Sequence, residues 1–588
     1  MSFLKFLKSK KFLTAAVILL FLLCIIFLLP ILQDGRRQTA DEAFKTFTNE
    51  LFLSNISSNT LTLHYTLADP EAAGITDAPV TFGEYSADAK ERSAAALENA
   101  LEVLSSFPKE ELSAANRLTY DILRVQIQNE LALTAYPYYE EVLSPLLGTQ
   151  AQLPILLAEY SFDSKEDIET YLSLLEQLDA YYESLLIYEQ EKAEAGLFMP
   201  DSMADAVIAQ CQEFISDPGS HLLMTSFEER LAQADFLSEE EKQACLEANR
   251  AQVIGHVLPA YECLIDGLEA LKGSGTNPYG LCYYPDGRAF YEAYVNCIIG
   301  SGRSMAEIKE LIDGQLLADV QLMANIVVRR PELLTNLSRS ITYQEPETVL
   351  ASLQKKIRKD FPAVNAADCT VKYVAPSLEE YLSPAFYLTP PLDQMSSHTI
   401  YINQGSDYDN LALFTTLAHE GYPGHLYQTL YEDSLKLDPV RNIFYFGGYV
   451  EGWATYAERY AYRFTELDSD SAELLAANYF LLLGLYARSD VGIHYDGWKP
   501  EDLADFLGGF GITDEPTLSS IYQAILQNPA NYLKYYLGAV EILALREDAQ
   551  EAFGSHFTIK DFHEFILSIG PAPFSVIRDY LYGWTGMD

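Results

Sequence analysis

From Phe12 to Leu32 the chain runs for 21 residues without a charge, FLTAAVILLFLLCIIFLLPIL. A helix of that length rises about 30 Å, the thickness of a bilayer's hydrocarbon core. Lys5, Lys8, Lys10 and Lys11 precede the run and Arg36 and Arg37 follow it. The excess of lysine ahead of the run puts residues 1–11 in the cytoplasm, 12–33 in the membrane and 34–588 outside. A cleaved signal peptide would have a shorter apolar stretch, about 7 to 15 residues, and a small-x-small cleavage site after it. A lipoprotein signal would want a small residue before Cys24, where Leu22 and Leu23 stand. The expectation is a single uncleaved anchor carrying a large exported body.

That body is strongly acidic. The chain has 39 Lys plus Arg against 84 Asp plus Glu, a net charge of −45. Setting aside the six basic residues of the N-terminal end and Asp34 leaves 33 against 83, or −50, on the remainder. Such a surface repels phosphate backbones, which excludes nucleic acid as a partner and leaves the apolar run as the membrane contact. Beyond Cys24 lie Cys211, Cys245, Cys263, Cys282, Cys297 and Cys369. Their even number permits disulfides, but six in so long a body is no framework, and none shows the close pairing of a zinc knuckle.

Apolar residues recur at helical spacing through most of the body. The stretches Ala87–Leu133, Lys165–Leu197, Ser202–Ile215, Ser226–Lys272, Ser304–Val327 and Pro346–Lys359 all predict amphipathic helix. The turn-rich segments Gly273–Gly280 and Tyr284–Arg288 punctuate them. Strand signals are confined to Cys369–Ala375 and His398–Gln404, on either side of a proline-containing linker, Pro376–Pro391. The fold class is therefore mainly α, with a small sheet just ahead of the segment that carries chemistry.

In that segment, Asp409–Glu432, an apolar stripe of Leu411, Leu413, Phe414, Leu417, Leu426 and Leu430 surrounds His419, Glu420 and His425. Two of nine histidines thus lie six residues apart around a glutamate. In the His-Glu-x-x-His pattern, imidazoles at i and i+4 share a helical face and bind zinc, while the glutamate takes a proton from water. A third ligand commonly comes from a following helix, and EGWATYAERY supplies Glu451. Six residues advance a regular helix by about 600°, leaving the second imidazole about 120° from the first. Pro423 and Gly424 intervene, and a proline there clashes with the carbonyl of His419. The expected kink or widened turn swings His425 toward the ion.

HEGYPGHLYQ (His419–Gln428) followed by EGWATYAE (Glu451–Glu458) resembles the paired motifs of the DUF885 family, bacterial and often exported or lipid-anchored proteins similar in fold to helical zinc peptidases of the gluzincin type. The family's form ends His-His where this chain has Leu426, and its Tyr-Lys-x-Gly landmark is met by Tyr535 with Tyr536 in place of the lysine. YPDGRAFYEAYV, SPAFYLTPP, HTIYIN and DVGIHYDGW extend the resemblance along most of the body.

The resemblance implies one large two-lobed, metallopeptidase-like helical body, with 34–330 as an N-terminal lobe and 331–588 as the metal-site lobe. It implies Zn2+ on His419, His425 and Glu451, Glu420 as general base, and a peptide substrate. By analogy with helical zinc peptidases, His494 and Tyr535 are the candidate donors to the oxyanion, and Glu458, seven residues after Glu451, is a candidate to orient a zinc-bound histidine. Read without that resemblance, the histidines are also compatible with backbone-satisfied core residues, Glu451 with a helix N-terminal carboxylate, His494 with a structural histidine beside Asp490, and Tyr535 with one of 40 tyrosines. Two other functions remain open: a surface peptide-binding or sensor protein without turnover, and a zinc hydrolase of a non-peptide bond.

Overall fold

The computed structural model describes residues 39–334, 341–365, 367–374, 379, 384–406 and 408–585. The expected cytoplasmic end and membrane anchor, 1–11 and 12–33, lie outside the described residues. The body is 69% helix and 3% strand. Polar residues start its helices as the sequence predicts. Ser304 and Glu307 form a reciprocal capping box ahead of Met305–Arg329, and Ser86 and Ser113 cap Ala87–Ser105 and Ala114–Leu133. The long amphipathic stretches are divided more finely than their periodicity indicates. Ala87–Leu133 is two helices, and Ser226–Lys272 spans parts of several, with a wide turn at Val253–Val257.

Three larger cores organise these helices. One gathers Leu61 through Leu268 around Tyr171, Tyr182 and Tyr261. A second joins the N-terminal helix Ala40–Ile56 to Val440, where the Thr48 hydroxyl donates to Asp438 at 2.7 Å. The largest runs from Ile122 to Leu581 and holds the metal motif. Its members include Phe290, Val295, Ile308 and Ile312, so packing does not divide at the expected 330/331 boundary. The helices Gly287–Ile299 and Met305–Arg329 turn their apolar faces to that core.

Among the described residues, only Met305–Arg329 is long and apolar enough to cross a membrane. Its charged side chains are engaged with the body instead. Lys309 pairs with Asp496 at 2.8 Å, Asp313 with Arg488 at 3.1 Å and Asp319 with Arg459 at 2.5 Å.

The sheet has three strands, β1 (Asp368–Tyr373), β2 (Ala385–Leu388) and β3 (Ser397–Ile402), in the order β1-β3-β2. β3 is central, parallel to β1 and antiparallel to β2, with Tyr387 opposite Ile400. Alternation along β3 sends His398, Ile400 and Ile402 inward. β2 falls within what reads in sequence as linker, since four residues flanked by prolines are too few to show a period. It is the strand beside the metal motif. The six cysteines of the body are all unpaired.

Candidate metal centre

The helix Asn410–Glu420 ends at the glutamate of the motif, and His425 opens the next helix, His425–Leu435. The expected kink is therefore a complete break. The Gly424 N–H returns to the Ala418 carbonyl at 2.9 Å and the Tyr427 N–H to that of Gly421 at 3.1 Å, so the chain crosses the break with these amides satisfied. A Cβ on residue 424 would stand 1.7 Å from the His419 carbonyl oxygen, so only glycine fits there. The break is also pinned from outside, by the Trp453 indole N–H donating to the Pro423 carbonyl at 2.9 Å.

Trp453 belongs to the helix Gly447–Ala461, which carries Glu451. This helix packs backbone to backbone on Asn531–Phe553: a Cβ on Gly452 would lie 2.4 Å from the Gly538 carbonyl carbon. The close approach draws Glu451 and Tyr535 to the same side of the break.

His419 Nε2 and His425 Nε2 lie 3.6 and 3.5 Å from a single oxygen, Glu451 Oε2. Two ligands at about 2.0–2.2 Å from a tetrahedral ion stand about 3.3–3.6 Å apart, so these separations are the edges of such a site. Ligand atoms of His419, Glu420 and His425 also fall within 4.8 Å of one another, and the two carboxylates have to be told apart. Glu420 is held elsewhere, its Oε2 accepting the Tyr387 N–H of β2 at 2.9 Å, whereas Glu451 faces both imidazoles. The donor set of two imidazoles and a carboxylate with one more group beside it fits zinc.

On its far side His419 Nδ1 faces Glu458 Oε2 at 3.1 Å, which turns Nε2 toward Glu451. Glu458 in turn accepts the Tyr479 hydroxyl at 2.6 Å. Burial opposes charge on His419, but the bonds to Glu451 and Glu458 outweigh it and hold the ring well above the usual histidine range. Burial likewise pushes Glu451 up, and the two histidines overcome it and hold the carboxyl far below normal. Glu420 goes the other way. Burial raises it, and the nearby imidazoles only partly offset the rise.

The expected donors part company. The Tyr535 ring lies 6.4 Å from that of His419, and burial keeps its hydroxyl protonated. His494 is not brought to the cluster. It sits in the wide turn Gly492–Asp496 with Nδ1 accepting the Leu281 N–H at 3.3 Å and Nε2 facing the Ile525 carbonyl at 3.0 Å. Both nitrogens are committed to backbone, which leaves no donor for a substrate. Its sequence neighbour Asp490 binds the Tyr291 hydroxyl and the Ala530 N–H.

Residues that sequence alone does not single out take places at the site. The Tyr445 hydroxyl donates to Glu451 Oε1 at 3.2 Å. Lys534 is half-buried nearby, and desolvation lowers its ammonium despite the charge of Glu451. Tyr387 and Tyr479 complete the set. Nothing distinguishes these tyrosines among 40, although Tyr445 lies six residues before Glu451. A cavity of about 550 Å3 opens beside the cluster, lined by His425, Glu451, Tyr387 and Tyr445 and reaching Glu432 and Arg441.

The chain belongs to the DUF885 family, described as bacterial protein of unknown function, which matches residues 71–581. Its fold is shared with a solved structure described as a "putative lipoprotein" from Colwellia psychrerythraea, at a TM-score of 0.82 and 19% identity over 94% of this chain and 100% of that one. A second, described as a "putative lipoprotein of unknown function" from Shewanella oneidensis, aligns at 0.63 and 17% over 91% and 99%. Identities this low speak to fold alone. A structure described as a "putative oligoendopeptidase F" from Bacillus anthracis aligns at 0.30 and 12% over 84% and 96%, too weak a likeness to bear on fold or activity. Among curated proteins, none matches the chain.

Proposed function

We propose that this chain is a zinc-dependent peptidase, tethered by its N-terminal apolar run and working on short peptides outside the cytoplasmic membrane. The observation that carries the reading is the convergence of both imidazole Nε2 atoms on Glu451 Oε2 at 3.5 and 3.6 Å, with Glu420 held apart by β2. His419, His425 and Glu451 would hold the ion, which when bound supplies Lewis acidity toward a water and a substrate carbonyl.

The remaining work falls to the chain itself. Glu420 takes the water's proton and passes it to the leaving amine, and its raised pKa suits a base that must release what it accepts. The Tyr387 N–H fixes the orientation of that carboxyl. Tyr445 and Tyr535 carry neutral hydroxyls beside the cluster, desolvation and the charge of Glu451 raising both, and are our candidates for the donor to a developing oxyanion, Tyr445 by releasing its bond to Glu451 Oε1. β2 is an edge strand against the motif helix, a template for an extended peptide. Peptide as substrate rests on this edge and on the family resemblance. Location outside the membrane rests on the flanks of the Phe12–Leu32 run.

The test is elemental analysis of the purified full-length chain together with a mixed-peptide digest. The expected result is about one zinc per chain and cleavage that chelation abolishes and zinc restores. Zinc without cleavage would instead favour a binding protein or a hydrolase of another bond, and no zinc would end the reading.

A further inference from the structure

A second cavity, of about 730 Å3, lies between Ala87–Ser105, the Tyr136–Glu141 loop, Leu178–Glu194 and residues 527–529. It shares no lining residue with the cavity beside His425 and Glu451, so its chemistry does not depend on a metal there. Six aromatic rings contribute to its wall: Tyr136, Tyr138, Tyr139, Tyr188, Phe290 and Tyr294.

The chain already places one cation here. Lys90 Nζ stands 4.1 Å from the centroid of the Tyr188 ring, 4.7 Å from that of Tyr85 and 3.1 Å from Glu140 Oε2. Aromatic faces and a carboxylate around an ammonium are the recognition chemistry of organic cations. Tyr138 completes the wall, its ring 5.6 Å from Tyr188, and holds a backbone φ of +70° that a tyrosine rarely adopts. Such a conformation persists only where the surroundings impose it.

Charge at the cavity is unbalanced in the direction a cation would correct. Behind the wall Lys192, fully buried, is shared by Glu141 at 2.7 Å and Glu189 at 3.6 Å. Neither oxygen of the buried Glu189 has a hydrogen-bond partner. Glu91, Glu130 and Glu140 add further carboxylates on the lining, against Lys90 alone. A neutral ligand would fill the space and leave this excess untouched.

We propose that this cavity is a binding site for an organic ammonium group, with Lys90 as the resident cation that a ligand joins or displaces. The group is carried either by a small quaternary ammonium compound or by a lysine side chain of a peptide. Calorimetric titration of the full-length chain with choline, with Nα-acetyl-lysine amide and with the neutral choline isostere 3,3-dimethylbutan-1-ol tests it.

The expected result is one site per chain for at least one of the two cations, and none for the neutral compound. The tighter of the two cations identifies the source. Tyr188→Leu should weaken binding at least tenfold, Tyr188→Phe should retain it, and Lys90→Met should tighten it by vacating the rings. If Tyr188→Leu does not fold, Tyr138→Leu and Lys90→Met carry the same comparison. Equal binding of the neutral isostere, no binding of either cation, or cation binding indifferent to all of these substitutions, as for a merely acidic surface, would overturn the proposal.

Discussion

Two histidines sit at interruptions of helices in the same core, and they do opposite things. At the break between Glu420 and His425, His419 has a carboxylate on each side, Glu458 at Nδ1 and Glu451 near Nε2. At the wide turn Gly492–Asp496, His494 has a backbone group on each side. Acidic partners hold the first ring well above its ordinary range. Burial, only partly opposed by the Ile525 carbonyl, drives the second down to about 4. The lesson is that burial and an irregular helix do not mark a reactive histidine. A nitrogen that faces other ligand atoms, rather than backbone, does.

The largest test of this contrast is Glu420→Gln against His494→Gln. The first should cut peptide hydrolysis by about 10²–10⁴-fold with zinc content unchanged. The second should leave the rate within a few fold once folded protein is normalised. Kinetics beside elemental analysis reads both, and a matching loss in the two variants would erase the distinction drawn between the sites.

Next comes acid stability. His494 is neutral when folded down to about pH 4, whereas the unfolded chain takes up its proton near 6.5. Its lowered pKa thus contributes stability that is present above 6.5 and lost as pH falls toward 4. Over that interval the wild type should lose about 3 kcal/mol more than His494→Gln, since each tenfold drop in the ring's proton affinity is worth about 1.4 kcal/mol. Urea unfolding at pH 7 and pH 4 measures it. Equal losses would mean the ring is not held neutral.

Glu458→Gln sharpens the other half of the comparison. It removes the carboxylate behind His419 and should weaken zinc binding by about 10–100-fold, read by competition with a chelator. The smallest effect belongs to Trp453→Phe. It deletes the bond that pins the break and leaves the Pro423 carbonyl without that donor, for a loss of about 1–3 kcal/mol in unfolding free energy. A change well below that range would show the Pro423 carbonyl satisfied in another way.

Much of this arrangement was legible in the residues. His419, Glu420, His425 and Glu451 declare themselves by type and spacing, and the Pro-Gly insert already required an irregular backbone. Whether that irregularity was a kink or a full break depends on which amides close it, and those bonds are tertiary and local at once. Donors were the least legible, because a tyrosine is apolar body and polar tip together, and only packing decides which end matters. Tyr479 reaches Glu458 from 21 residues away, and Tyr387 serves through its backbone N–H, which any residue but proline could supply. His494 was a candidate by analogy with helical zinc peptidases alone, and which groups its two nitrogens meet, the Leu281 N–H and the Ile525 carbonyl, is decided by packing far along the chain. β2 was too short to register a period.

The glycine at 424 has a consequence for descent. With the His419 carbonyl oxygen 1.7 Å from where a Cβ would stand, every residue but glycine is barred there while the break exists. Regular four-residue spacing would put the second imidazole at position 423, where proline stands with its carbonyl bound by the Trp453 indole. The tight return onto His419 and the glycine are thus one inherited unit: a side chain at 424 is tolerated only in a descendant whose chain no longer turns back there.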